Sequence, residues 1–204
     1  ASRIFDDHND WVFETIDTFE DRKDQLIIKT HPAEKVRGTT QGVADIIGSQ
    51  YESLPSNVMA LEPETEINTY DLIEFADVTI TLTSTVGLES AYKRNPVITV
   101  GDAHYTGKGF THDAMSKAEY ADLLEEDQSE LKLSESAYRR ALKYAYNFFI
   151  ERPFYFDSLN PQGLTDEEGA FLSISSYDEL QDDTALQELC NSLRRFDNHV
   201  YHRR

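Results

Sequence analysis

The stretch 79–101, TITLTSTVGLESAYKRNPVITVG, limits the possible folds more than any other part of the chain. It begins with β-favouring apolar residues, which the hydroxyl run Thr83-Ser84-Thr85 interrupts. Gly87 and an apolar face at helical spacing follow. Asn95-Pro96 ends this predicted helix, because proline disfavours the helical conformation in the residue before it. A second apolar run closes the stretch, so the pattern predicts a βαβ unit.

The same alternation of strands and helices precedes this unit. We predict buried strands at 25–29 and 58–61, and helices at 10–20 (capped by Asn9), 43–51 and 67–76. The last of these helices is expected to bury Ile67, Tyr70, Ile73 and Ala76. Strands that alternate with helices form a parallel sheet, and right-handed crossovers bring the turns after the strands to one edge. The sequence therefore predicts an α/β fold, with a Rossmann-like parallel sheet, helices on both faces and further helices at the C terminus.

The second half of the chain begins with a predicted loop. Residues 101–111, GDAHYTGKGFT, are punctuated by glycine, and helices are predicted at 117–126 and 134–150. Near the C terminus, Thr184 and Gln187 fit a capping box that begins a last helix.

The chain is strongly acidic. Among its 204 residues, 38 are Asp or Glu and 19 are Lys or Arg, which gives a formal net charge of -19. Such a surface repels nucleic-acid phosphates and anionic lipids, so we predict no nucleic-acid partner and at most peripheral membrane association. Acidic surfaces are usual in proteins that work in high salt, and we hypothesise that the source is halophilic.

Cysteine use and hydropathy indicate a cytoplasmic location. Cys190 is the only cysteine, so the chain forms no internal disulfide and a reducing compartment is expected. No stretch approaches the roughly 20 apolar residues of a membrane span, and no signal peptide opens the chain. Ala1-Ser2-Arg3 reads as an arbitrary start, and we expect the chain to be a fragment of a longer protein.

Polar residues follow the first and third predicted strands. Lys29 and His31 lie at the end of the first strand, and Thr83, Ser84 and Thr85 follow the third. An imidazole, a cation and hydroxyls at one sheet edge are suited to phosphate recognition, aided by the amides at a helix start. The alternatives are a structural histidine and ordinary helix capping. The chain lacks the P-loop and G-x-G-x-x-G patterns, and Ser84 lies outside a nucleophile elbow.

Two further residues fit a ligand at this edge. Glu89 lies about one turn into the helix, where a carboxylate reaches sugar hydroxyls, and Gly87 allows close approach of a ligand. Lys108, between two glycines, is a cation suited to closing over an anionic donor or else an ordinary loop residue. The spacing of Asp102, His104, His112 and Asp113 matches no strong metal-ligand pattern, so no metal site is predicted.

An ordered set of motifs resembles a known family. The motifs are Lys29-x-His31-Pro32, Asp77-Val78, Thr83-Ser84-Thr85-x-Gly87-x-Glu89, Asn95-Pro96-Val97 and the 104–111 loop. This set is similar to the C-terminal half of capsular-polysaccharide biosynthesis glycosyltransferases. The likeness extends to bacterial Kdo transferases, polysialyltransferases and sialyltransferases, and to the CDP-glycerol polymerases of teichoic acid synthesis. It covers about residues 9–156.

The resemblance implies one half of a GT-B fold. Residues 1–204 would form a single nucleotide-sugar-binding domain, with its core at about 9–156 and a helical extension at 157–204. His31 would contact the donor phosphate and act in catalysis, with Lys29, Ser84 and Thr85 beside it and Glu89 on the ribose. His104 and Lys108 would belong to a donor loop.

The implied reaction transfers a sugar from a CMP- or UDP-linked donor to a glycan acceptor, with no cofactor and no metal. The resemblance implies that the N-terminal acceptor domain is absent from this chain, so this fragment alone is expected to be inactive. Two other functions stay open from the sequence. One is a nucleotide-sugar 2-epimerase-like enzyme, and the other is a non-catalytic acidic binding or assembly module.

Overall fold

The computed structural model describes residues 4–30, 42–62, 65–153, 156, 159–160, 171–172 and 176–195. The chain divides into two compact units, Ala1–Leu142 and Lys143–Arg204. Within the described residues, no helix has the length and apolar character needed to cross a membrane.

The first unit alternates helices with short strands. In chain order it contains α1 (His8–Phe19), β1 (Leu26–Lys29), α2 (Val43–Gln50), β2 (Val58–Leu61), α3 (Thr69–Phe75), β3 (Thr79–Thr81), α4 (Val86–Tyr92), β4 (Val97–Thr99), β5 (His112–Asp113), α5 (Lys117–Glu125) and most of α6 (Glu135–Tyr146). The first cap differs from the prediction. Asp7, not Asn9, precedes α1 and accepts a hydrogen bond from the amide of Asp10 at 2.8 Å.

The strands of this unit pair in parallel, as predicted. One ladder joins β1 to β2, in register from Leu26 opposite Val58 to Lys29 opposite Leu61. The other has the order β3-β4-β5, with β4 in the centre. The α/β, Rossmann-like fold class is therefore confirmed. The described residues divide the strands between two ladders, whereas the sequence predicted one sheet. Strand β5 lies between the loop predicted at 101–111 and the helix predicted at 117–126, where no strand was expected.

Both ladders contribute to one hydrophobic core. Its buried members lie in and just before α1, in or next to three strands, and in later helices. They include Phe5, Ile16, Phe19, Leu26, Val43, Ile47, Val58, Ile98, Val100, Tyr120 and Leu124. The face predicted for α3 is wrong in part. Ile73 is buried, but Ile67 and Tyr70 are 44% and 48% exposed. Only a narrow stripe of that helix therefore faces the core.

The second unit begins with the end of α6, which continues as a π-helical turn over Asn147–Glu151. Strands β6 (Leu159–Asn160) and β7 (Phe171–Leu172) pair antiparallel, and helices α7 (Tyr177–Gln181) and α8 (Thr184–Arg194) follow. The predicted capping box is wrong. Asp183 precedes α8 and accepts from the amide of Leu186 at 3.0 Å, because its carboxylate lies one residue ahead of Thr184.

Candidate functional site

The polar segments after β3 and β4 meet at the carboxyl edge of their ladder. The two strands are parallel neighbours, with Thr81 opposite Thr99, so the segments that leave them start side by side. The amide of Val100 donates to the Thr81 carbonyl at 3.1 Å. A β-carbon on Gly101 would lie 2.6 Å from the carbonyl oxygen of Leu82, so only glycine fits there without displacing the backbone.

The hydroxyl turn, Thr83-Ser84-Thr85, is exposed at this edge. The amide of Ser84 donates to the Thr81 hydroxyl at 3.3 Å, and the Ser84 hydroxyl accepts from the amide of Val86 at 3.3 Å. Thr85 precedes α4, but its side chain makes no capping hydrogen bond to the helix. The turn therefore presents three hydroxyls to solvent. Because the Ser84 hydroxyl accepts in its contact with Val86, its own hydrogen can still be donated to an anion.

Tyr105 connects the loop after β4 to the hydroxyl turn. Its side chain is fully buried, and its hydroxyl donates to the carbonyl oxygen of Ser84 at 2.6 Å. Burial raises the pKa of Tyr105 far above its usual value, and the negative charges of Asp113 and Glu89 add to this effect. The phenol therefore keeps its proton at neutral pH and remains a hydrogen-bond donor.

Gly87 is required by this tyrosine. A β-carbon at position 87 would lie 2.1 Å from the Tyr105 hydroxyl oxygen and 2.9 Å from Cγ2 of Thr81. The sequence-based explanation, that Gly87 lets a ligand approach closely, stays a prediction. The structure gives a further reason for the glycine, because Tyr105 occupies the space that its β-carbon would need.

Glu89 lies one turn into α4 and is half-buried. Its amide donates to the carbonyl oxygen of Thr85 at 3.0 Å, which continues the helix from the hydroxyl turn. Its position along the chain suits the predicted ribose contact, and that role stays a prediction.

The glycines on either side of Lys108 give the loop its shape. Gly107 and Gly109 have φ values of 76° and 74°, in the left-handed region that favours glycine. The guanidinium of Arg140 donates to the carbonyl oxygen of Gly109 through Nη2 at 2.6 Å and through Nε at 3.1 Å. This tight turn leaves Lys108 exposed. His104, also exposed, packs edge-on against Tyr105 with its ring centroid 5.0 Å away.

Asp113 anchors the far end of the same loop. Its carboxylate accepts from the amide of Gly107 at 2.7 Å, from the hydroxyl of Thr111 at 2.6 Å, and from the hydroxyl of Thr99. The neighbouring His112 is also engaged, with its Nε2 2.8 Å from the carbonyl oxygen of Leu131. Across the part of the chain that the structure describes, no group of three or more His, Cys, Asp or Glu side chains is suited to holding a metal ion.

The carboxyl end of β1 is described only as far as Thr30. Lys29 is half-buried in the strand, and the hydroxyl of the buried Thr30 donates to the carbonyl oxygen of Leu61 at 3.0 Å. This bond ties the end of β1 to the end of β2. His31 lies outside the described residues, so its meeting with the hydroxyl turn stays a prediction.

Sequence reasoning missed the two residues that hold the site together. The sequence places Tyr105 only within the motif of the 104–111 loop, and Asp113 only among residues whose spacing matches no strong metal-ligand pattern. The available signal was composition. A large aromatic residue in a loop of glycines and small polar residues indicates burial, and an aspartate two residues after a threonine often accepts local hydrogen bonds.

Comparisons with known proteins agree with the motif analysis at the level of the family. Residues 5–155 match the model of the family described as capsule polysaccharide biosynthesis protein. Neither the curated proteins nor the solved structures include a match. The matched region spans most of the chain and contains all the strands of the first unit. The chain therefore belongs to the capsule polysaccharide biosynthesis family.

Proposed function

We propose that this chain is the nucleotide-sugar-binding half of a GT-B glycosyltransferase that acts in capsule polysaccharide synthesis. It would transfer a sugar from a CMP- or UDP-linked donor to a glycan acceptor. The single observation that carries the proposal is the exposed hydroxyl turn, Thr83-Ser84-Thr85, at the carboxyl edge of a parallel ladder. Ligands of open α/β sheets bind at this edge.

The charge balance of the edge supports an anionic ligand. Lys108 is an exposed cation, and it extends from a loop that Tyr105 connects to the hydroxyl turn. Hydroxyls and an ammonium group both donate hydrogen bonds to phosphate oxygens. His31 would add an imidazole from the end of β1, and Lys29 a second cation.

In the proposed reaction, the nucleotide phosphate is the leaving group. An acceptor hydroxyl attacks the anomeric carbon, the bond from that carbon to the phosphate oxygen breaks, and its electron pair stays on the phosphate. A carboxylate from the other half of the enzyme takes the acceptor proton. His31, the hydroxyl turn and Lys108 stabilise the charge that develops on the phosphate, and Glu89 holds the ribose. No metal ion takes part in this proposal.

Thermal-shift titration of the full chain with CMP, CDP, UDP and GDP tests the proposal. A ligand that binds only the folded state raises the melting temperature of the protein, and the rise grows with the ligand concentration. We expect a saturable rise with a cytidine or uridine nucleotide. Absence of any rise at millimolar nucleotide would contradict the proposal. A stable complex with another protein in its place would favour the assembly module, and conversion of UDP-GlcNAc to its 2-epimer would favour the epimerase.

A further inference from the structure

We propose that Tyr105 is a positioning residue, which holds the hydroxyl turn in the conformation that a phosphate binds. This inference rests on the proposed function, because it names the residue that prepares that same site. Tyr105 is too deeply buried to touch a ligand. Its role would therefore be exerted through the backbone of Ser84.

The contact is made to the residue at the centre of the turn. The Tyr105 hydroxyl donates to the Ser84 carbonyl at 2.6 Å, and the same carbonyl accepts from the amide of Gly87 at 3.2 Å. The peptide that follows Ser84 is thus fixed by two donors. One is the amide of Gly87 in α4, and the other is the hydroxyl of Tyr105 in the loop after β4. Fixing this peptide fixes the directions in which the hydroxyls of Ser84 and Thr85 extend.

The tyrosine is itself held by its surroundings. Its ring lies against Gly87, and the ring of Phe110 lies 6.2 Å away at a 31° tilt. The loop that carries it is closed by Asp113, whose carboxylate accepts from Gly107 and Thr111. The hydroxyl turn and the Lys108 loop therefore form one connected unit, and the phenol hydroxyl donates a hydrogen bond that joins them.

Tyr105→Phe removes this hydrogen bond and keeps the ring. The Ser84 carbonyl retains its bond from Gly87, so the variant should fold. The matched control is Tyr120→Phe. Tyr120 is equally buried, and its hydroxyl bonds to Thr15 at 2.7 Å and Trp11 at 3.1 Å, in a different part of the same unit. Both variants lose one buried hydroxyl, but only Tyr105→Phe releases the hydroxyl turn.

Two measurements on the full chain separate positioning from a general structural role. The first is amide hydrogen exchange without nucleotide. We expect the amides of 83–87 to exchange about fivefold faster in Tyr105→Phe, because one hydrogen bond that opposes local opening is lost, and at the wild-type rate in Tyr120→Phe. The second is calorimetric titration with CMP and UDP. We expect the dissociation constant to rise about three- to tenfold in Tyr105→Phe alone, which is the worth of one ordinary hydrogen bond.

The exchange comparison alone can overturn the inference, and support for it requires both measurements. Unchanged exchange of 83–87 in Tyr105→Phe would overturn it, and so would equal acceleration in both variants. Faster exchange with unaltered nucleotide affinity would also overturn it, because the turn would then need no fixing. If the wild-type chain binds neither nucleotide, the proposed function fails, and the exchange result still determines whether Tyr105 holds the turn.

Discussion

The side chain of Tyr105 occupies the space that a β-carbon at Gly87 would need, with only 2.1 Å between that atom and the phenol oxygen. Residues 18 positions apart in the sequence thus specify each other. A glycine near the start of α4 lets the tyrosine of the next loop reach the Ser84 carbonyl. The pair explains why this helix tolerates a residue that is otherwise unfavourable in a helix.

Gly87→Ala is expected to destabilise the protein. The added methyl group collides with the buried side chain of Tyr105, and such overpacking costs about 1–3 kcal/mol. Urea unfolding followed by circular dichroism measures the loss. Gly48→Ala is the matched control, because nothing lies within 4 Å of a β-carbon there and the change to alanine in α2 should stabilise by roughly 0.5–1 kcal/mol. Equal effects of the two substitutions would mean that the tyrosine does not fill this space.

Asp113→Ala is expected to loosen the loop after β4. The carboxylate loses its bonds to Thr99, Thr111 and Gly107, and we expect the free energy of unfolding to fall by about 1–3 kcal/mol. Asp122→Ala, an exposed carboxylate on α5, provides the control and should change stability by no more than about 0.5 kcal/mol. Urea denaturation of both variants gives the comparison. A loss no larger than that of the control would show that Asp113 is not the anchor.

Lys117 joins α5 to α1 and sets the titration of Asp10. Its ammonium donates to Asp10 at 3.1 Å and to Glu14 at 2.7 Å. The hydrogen bond from Lys117, with a second from the amide of Asp6, lowers the pKa of Asp10 below its ordinary value of 3.8. Lys117→Met should therefore raise that pKa toward 3.8, and NMR titration of the Asp10 carboxyl measures the change.

The sign of the stability effect follows from the lowered pKa. Asp10 contributes its stability above pH 3.8, and the contribution disappears as the pH falls through the folded-state pKa. The difference in stability between the wild type and Lys117→Met should thus be larger at pH 7 than at pH 2. It should be small at both, because the pair is exposed. Lys23→Met is the exposed-lysine control, and an Asp10 pKa unaffected by Lys117→Met would contradict the assignment.

The acidic surface predicts a dependence on salt. With 38 acidic and 19 basic residues, the folded chain repels itself at neutral pH, and salt screens this repulsion. We expect a higher melting temperature in molar KCl than in dilute buffer. The hypothesis of a halophilic source would be lost if the protein were as stable, or more stable, in dilute buffer.

Local patterns determined most of the fold. The helix predicted at 117–126 begins at Lys117 as expected. Ser116 precedes it and accepts from the amide of Glu119 at 3.1 Å, because a cap depends on residues three positions apart. Strand β2, Val58–Leu61, has the predicted bounds, since a short apolar run between turn residues identifies a buried strand. The hydroxyl turn likewise follows β3 as predicted.

Features that depend on distant residues could not be predicted. Strand β5 contains only His112 and Asp113, which carry no strand pattern, and it forms because β4 offers a free neighbouring position. The burial of Tyr105 depends on the absence of a side chain at Gly87, which no local pattern encodes. Ile67 is exposed although its spacing fits an apolar face, because α3 begins two residues later.

Calorimetric titration of the full chain with CMP and UDP tests the central claim most directly. That claim is that the hydroxyl turn and the imidazole of His31 bind the same phosphate group. Each hydrogen bond to a charged group contributes about 1.5–3 kcal/mol. Ser84→Ala and His31→Ala should therefore each raise the dissociation constant of the tighter-binding nucleotide about 10- to 100-fold. Ser49→Ala, which removes an exposed serine hydroxyl on α2, should leave the affinity unchanged. Wild-type affinity for both nucleotides in Ser84→Ala and His31→Ala would contradict the account.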